Sequence, residues 1–166
     1  MMKTLGSLCL ALAVAIPAAA SAQEGGGITV AGLERSDLAG EWIRIPFPGS
    51  LPNYVRTEPA YRRGDNVGAI TGQINRQTRT LDVYLTHFYC PPGKFMASAW
   101  RSISPNGEMS ETRMIMMEFR EADPDTYFGD LRRWYCDGES LQSDASFNGI
   151  DPVLSDVASQ PPAPSN

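Results

Sequence analysis

The chain has 166 residues, enough for one domain, and its 14 Lys and Arg against 19 Asp and Glu give a formal net charge of −5. The acidic residues are concentrated in 108–166. We expect no nucleic-acid partner, because such binding draws its affinity from Lys and Arg side chains on phosphates.

The first 22 residues have the pattern of a secretory signal peptide. Lys3 precedes an apolar run over 5–16, and Ala20-Ser21-Ala22 is a small-residue cleavage site. The run of about a dozen residues is too short to span a membrane, and no later apolar stretch is longer. We therefore predict cleavage after Ala22, a periplasmic or secreted protein and no transmembrane anchor.

The remainder divides into three segments by composition. Residues 23–39 form a glycine-containing lead-in that we expect to be flexible, and 40–137 form the folded domain. Residues 138–166 are rich in Ser, Asp, Pro and Ala and have few large apolar side chains, so they predict a mostly disordered tail in which only Phe147 to Ile150 could dock.

Short strands and tight turns follow one another through 40–137. Residues 42–45 and 67–75 have strand composition, and 79–90 alternate in polarity. Leu81, Val83 and Leu85 thus share one face with His87, and Phe88 lies on the other. A "PPG" turn at 91–93 sends 94–104 back, and 109–121 and 125–137 complete the series. This spacing predicts an antiparallel meander that closes into a small β-barrel.

Residues 110–122 fit two interpretations. Their Met, Glu and Arg content favours a helix with Ser110 as N-cap, whereas the meander requires a strand. We favour the strand. Met117 belongs to a group of methionines of the kind that usually fills a core and sometimes lines a pliable apolar site.

The only histidine, His87, lies three residues from Cys90, a spacing that raises the question of a reactive pair or metal site. Residues three apart in a strand point to opposite faces, so the two side chains should diverge. Two cysteines in an exported chain favour a Cys90–Cys136 disulfide, with His87 partly buried or on the surface. We expect no metal, cofactor or catalytic residue.

This disulfide conflicts with a regular meander, which would place its two cysteines at opposite ends of the sheet. A strand of ten residues spans about 33 Å, whereas bridged Cα atoms lie about 5.5 Å apart. Either a helix at 110–122 or a strongly bent last strand would remove the conflict.

"DLAGEWIRIPFPGS" at 37–50 resembles the opening of lipocalin-like barrels, whose first strand carries the Gly-x-Trp found here as Gly40-Glu41-Trp42. It is also similar to the start of small periplasmic metalloprotease inhibitors, and Tyr89 to Gly93 resembles a segment of periplasmic lysozyme inhibitors. These resemblances imply a small exported barrel that binds another molecule.

The leading hypothesis is a non-catalytic binding protein for an apolar small molecule, with Trp42, Leu81, Val83, Leu85 and Met117 lining the site. The alternative is a periplasmic protein-binding module, such as an inhibitor of an envelope hydrolase, that acts through its loops or lead-in. An enzyme that uses paired carboxylates is the weakest hypothesis, because nothing in the sequence selects the pair.

Overall fold

The structure, a computed structural model, describes residues 33–47, 50–115 and 117–161, and its main element is an antiparallel sheet of nine strands. The predicted signal peptide and residues 23–32 of the lead-in lie outside the described residues. The strands are β1 (Glu41–Ile45), β2 (Asn53–Arg56), β3 (Tyr61–Arg63), β4 (Asn66–Ile74), β5 (Leu81–Tyr89), β6 (Lys94–Ile103), β7 (Arg113–Met114), β8 (Arg120–Glu121) and β9 (Ala145–Asn148).

Over the described residues the sheet is open, so the predicted closure into a barrel is not confirmed. Its order is β7-β6-β5-β4-β2-β1-β9; β3 pairs with β4, and β8 pairs with β6. In the described residues, β7 and β8 form one edge and β9 forms the other, and the two edges do not pair. The prediction of a mainly β fold with antiparallel strands is confirmed.

One face of the sheet, here the α2 face, is covered by helix α2 (Ile150–Ser159). Its apolar residues Ile150, Val153, Leu154 and Val157 recur at helical spacing and are all buried. They pack in one cluster with side chains of β1, β2, β4, β5 and β6. The tail is thus ordered well beyond Phe147 to Ile150, the part expected to dock, because a single apolar stripe is enough to dock a short helix on a sheet.

The opposite face, here the α1 face, is covered by α1 (Tyr127–Arg132) and the π-helical turn Arg133–Asp137 that continues it. Thr126 caps α1 by accepting a hydrogen bond from the Gly129 amide at 3.2 Å. Tyr127, Leu131 and Tyr135, spaced four residues apart, are buried against the sheet. A strand over 125–137 is therefore wrong, because the apolar residues follow a helical period.

This helix also resolves the conflict over the disulfide. It returns Cys136 to the end of β5, where Cys90 lies with a Cα–Cα distance of 5.5 Å. The predicted Cys90–Cys136 disulfide is confirmed, and the element that had to change was the last strand, not residues 110–122.

Residues 110–122 hold only the two short strands β7 and β8, both paired with β6. The strand interpretation is correct for these two pieces, and no helix forms in the described part of the segment.

The end of the lead-in is part of the core. Residues Arg35–Leu38 form a 3-10 helix, and Leu33 and Leu38 are buried in the cluster on the α2 face. The Arg101 guanidinium donates a 2.8 Å hydrogen bond to the Leu33 carbonyl. Flexibility is therefore the wrong expectation for 33–39, since these residues are held by the sheet.

None of the helices in the described ranges has the length and apolar character needed to cross a membrane.

Candidate functional site

His87 lies at the centre of a hydrogen-bonded chain of three side chains. Its Nδ1 contacts the Tyr61 hydroxyl and its Nε2 contacts the Ser98 hydroxyl. With 2% of its surface exposed, His87 is buried, contrary to the partly buried or surface position expected from the sequence. Burial lowers the pKa of His87, because the charged imidazolium loses hydration, so the ring is favoured in its neutral form.

Two features of the strands bring the side chains of Tyr61, His87 and Ser98 together. Gly68 lies opposite His87 on β4, and a Cβ there would come within 2.2 Å of the Tyr61 ring. The missing side chain therefore makes room for Tyr61. On the other side, a register shift between β5 and β6 leaves Ser98 as an extra residue beside His87. Such a bulge redirects a side chain, here the Ser98 hydroxyl.

A serine in contact with an imidazole that a third group orients meets part of the requirement for an activated nucleophile. Cys90 takes no part, because it packs on the α1 face while His87 faces the α2 side. Two cavities adjoin α1, one at Phe128 and one at Arg133, and Ser98 lines neither of them. We therefore treat Tyr61–His87–Ser98 as a buried network that satisfies its own polar groups.

A cavity of about 290 Å³ opens on the α1 face, between the sheet and the edge segment that holds β8. Its floor comes from β4, β5 and Ala97 of β6, and its walls come from Phe95 of β6, α1, Met117 and Arg120. The lining residues are Thr71, Gln73, Tyr84, Thr86, Phe95, Ala97, Met117, Arg120 and Phe128.

The cavity exists because α1 is too short to cover the whole face. Phe95 and Phe128 stack with ring centroids 4.1 Å apart and form one wall. Beyond Phe128, the floor carries the smaller residues Thr71, Thr86 and Ala97. The Thr71 and Thr86 hydroxyls lie 3.2 Å apart and hydrogen-bond to each other, so these two buried polar groups satisfy one another.

The charge at the cavity lining comes from Arg120. Arg120 is paired in register with Phe95, which places both side chains on the α1 face. Among the described residues that line the cavity, it is the only charged one. Burial raises the pKa of the Tyr84 hydroxyl above its ordinary value, with a further increase from nearby Asp82, so this group stays protonated at neutral pH.

A second cavity, of about 330 Å³, lies on the other side of α1 and is more polar. Its charged residues are already paired: Arg133 contacts Asp130 at 2.5 Å and Glu139 at 3.3 Å. These ion pairs leave less capacity for a ligand than the cavity near Arg120 offers.

Of the five residues predicted to line the ligand site, the structure places four in the core and one at the cavity near Arg120. Trp42, Leu81, Val83 and Leu85 have between 0% and 5% of their surface exposed and lie in the packed cluster beneath α2. They form the interior of the fold and line none of the cavities described above. Met117 does line the cavity near Arg120, although it reaches it from the edge segment rather than from the barrel interior expected.

Sequence reasoning missed the rest of the cavity lining. The alternation of 79–90 does place Tyr84 and Thr86 on one face with Phe88. The sequence pattern alone could therefore have identified these two residues of the floor as neighbours. Nothing in the local pattern associates Phe128 or Arg120 with that floor, since they are distant in sequence and meet only through the fold.

Within the ranges that the structure covers, no group of three or more His, Cys, Asp and Glu side chains has the geometry to hold a metal ion.

Comparisons with protein-family models, with curated proteins and with solved structures found no match.

Proposed function

We propose that this chain is an exported binding protein for a small, mainly apolar molecule, and that the ligand occupies the cavity lined by Phe95, Phe128 and Met117. The observation that carries the proposal is the cavity itself, which combines aromatic and thioether walls with a few polar groups. Small-molecule sites have this composition, and their volumes begin at about 300 Å³, close to the volume here.

The Cys90–Cys136 disulfide supports export, because such bonds persist in oxidising compartments. Periplasmic or secreted localisation therefore belongs to the same proposal. The walls also suit a binding role: Met117 is an adaptable side chain that can adjust to ligands of different shape.

The test uses the neutral fluorescent probe N-phenyl-1-naphthylamine with the mature protein. Binding should raise the probe's fluorescence, and Ala97→Leu should abolish the rise because the added carbons fill the cavity. Ala60→Leu, at an exposed turn, is the matched control and should bind like the original chain. Equal binding by the Ala97→Leu variant would contradict the proposed site.

One observation favours the alternative of a protein-binding module. Met114 and Phe119 are 60% and 53% exposed at the β7–β8 edge of the sheet, and Phe119 contacts the Tyr89 ring with centroids 4.7 Å apart. Large exposed apolar residues along a sheet edge are typical of protein contacts. A Met114→Ser/Phe119→Ser variant should retain probe binding if the small-molecule proposal is correct.

A further inference from the structure

The charge distribution around the cavity defines the chemistry of its ligand. We infer that the ligand is an amphipathic anion, a compact aromatic or aliphatic body with a carboxylate, whose carboxylate pairs with Arg120. This inference rests on the proposed function, since it specifies the ligand of the same cavity.

The first argument is the unpaired state of Arg120 in the described part of the chain. Arg44, Arg101 and Arg133 each have a carboxylate within 4.0 Å, and Arg35 and Arg132 also form ion pairs. Arg120 forms no such contact with the residues that the structure describes, and the same holds for Arg113 on the same edge. Of these two arginines, only Arg120 lines the cavity. Its neighbour Glu121 points to the other face and pairs with Lys94 at 3.5 Å.

The second argument is the absence of competing negative charge from the lining. None of the described lining residues is an Asp or Glu. Asp82 pairs in register with the lining residue Gln73 and lies on the same face as Tyr84, but its carboxylate is already hydrogen-bonded. Its oxygens accept hydrogen bonds from Asn75, Thr80 and Ser102 at 3.2, 3.2 and 2.6 Å. A ligand carboxylate would therefore meet a guanidinium with little repulsion.

The third argument is geometric. Arg120 lies at the exposed rim, whereas Phe95 and Phe128 form the wall beside it. An anion bound there keeps its charged group at the solvent boundary and inserts its apolar body among Phe128, Met117 and Ala97. This arrangement avoids burial of a charge, which would be costly without full pairing.

The experiment compares two probes that share an aromatic body, 2-naphthoate and the neutral 2-naphthalenemethanol. Isothermal titration with the mature protein at low salt should show tighter binding of the carboxylate by about tenfold, the size of a charge-assisted hydrogen bond. Arg120→Gln should abolish this preference and leave the affinity for the alcohol within about threefold of the original, since a threefold change is under 1 kcal/mol.

Arg113→Gln is the matched control. Arg113 lies on the same edge and face but stacks over Trp100, 5.6 Å from the ring centroid, and does not line the cavity. It should retain the preference for the carboxylate. Loss of the preference in both variants would reject Arg120 as the anion contact and assign the effect to the general positive field of the edge.

The two proposals fail in different ways. If the original chain binds acid and alcohol equally, the inference about the anion is overturned and the small-molecule site stands. If it binds neither probe and gives no signal with N-phenyl-1-naphthylamine, the proposed function fails and the inference fails with it.

Discussion

The two faces of the sheet are covered in different ways. On the α2 face, a helix of ten residues and the end of the lead-in bury a continuous cluster that includes Trp42 and Tyr54. On the α1 face, a helix of six residues with its π-helical turn covers only part of the strands, and the disulfide fastens its end. The difference shows how one sheet can combine a fully packed side with a side that retains a cavity.

The two faces also differ in how their polar side chains are paired. On the α2 face, Tyr54 donates a 2.6 Å hydrogen bond to Asp156, which also binds Arg44 at 2.9 Å, so docking of α2 completes a network. Burial and Asp156 both raise the pKa of Tyr54 above its ordinary value, which keeps this donor protonated. On the α1 face, Arg120 stays at the rim, where a ligand can reach it.

Removal of α2 should have the largest effect. A chain that ends at Asn148 loses Ile150, Val153, Leu154 and Val157 from the core, and each buried aliphatic side chain contributes about 1.5–3 kcal/mol. The total is comparable with the whole stability of a domain, about 5–15 kcal/mol. Circular dichroism should show no cooperative melting transition.

Two point variants in α2 test the same prediction at single positions, one buried and one exposed. Leu154→Ala should cost about 2–5 kcal/mol, the usual range for a buried leucine. Ser155→Ala, at the exposed neighbouring position, should cost less than about 0.5 kcal/mol. A shortened chain that melts like the complete one would show that the α2 face does not depend on its helix.

Trp42→Ala should have the next largest effect, about 3–5 kcal/mol. Trp42 is fully buried, and its indole N–H donates to the Leu38 carbonyl at 2.9 Å, so truncation leaves a void and an unpaired acceptor. Urea unfolding monitored by circular dichroism measures the loss. Phe47→Ala, which removes an aromatic that is 39% exposed, is the control and should cost much less.

Reduction of the disulfide should lower the free energy of unfolding by up to about 4 kcal/mol, the loop-closure contribution for a separation of 46 residues. Melting should therefore occur at a lower temperature with reductant, and the Cys90→Ala/Cys136→Ala variant should melt at the same lower temperature without it. Labelling of both thiols by iodoacetamide in the absence of reductant would show that the bond does not form.

The smallest expected effect is a pH dependence due to His87. Because burial lowers its pKa in the folded state, the unfolded chain takes up a proton first as the pH falls below about 6.5. The network's contribution is therefore complete above about pH 6.5 and declines as the pH falls toward the lower folded pKa. Urea unfolding at pH 7.5 and pH 5 measures it.

His87→Gln is the comparison for this effect, since glutamine does not titrate and still offers polar atoms to Tyr61 and Ser98. Carboxylates affect both chains alike, so the original chain should lose more stability than the variant between the two pH values. Equal losses would mean that His87 does not titrate differently in the folded and unfolded states.

Local patterns determined much of the sheet. The alternation of 79–90 correctly gave the faces of β5, because successive residues of a strand point to opposite sides whatever surrounds them. Turn residues at 91–93 marked the β5–β6 hairpin, where Gly93 has a φ of +66°. The two cysteines predicted the disulfide from the chemistry of an oxidising compartment alone.

The sequence contains two helical patterns that were not predicted as helices. The composition of the tail favoured disorder for one, and the expected meander favoured a strand for the other. The spacing of Ile150, Val153, Leu154 and Val157 marks one helical stripe, and Tyr127, Leu131 and Tyr135 mark another. An acidic, serine-rich tail nevertheless has the composition of a disordered segment. Four apolar residues stabilise a helix only when a sheet face is present to bury them, as it is here.

The tertiary structure alone decided whether the sheet closes, where the cavity opens and which residues line it. Arg120 and Phe128 meet the floor around Thr71 only because β8 pairs with β6 and α1 crosses the sheet. Periodicity specifies the direction of each side chain, but the distances between elements far apart in sequence depend on how their faces pack. For that reason the sequence predicted a disulfide-bonded, mainly β protein, and the position of the cavity emerged only from the packing of the sheet's two faces.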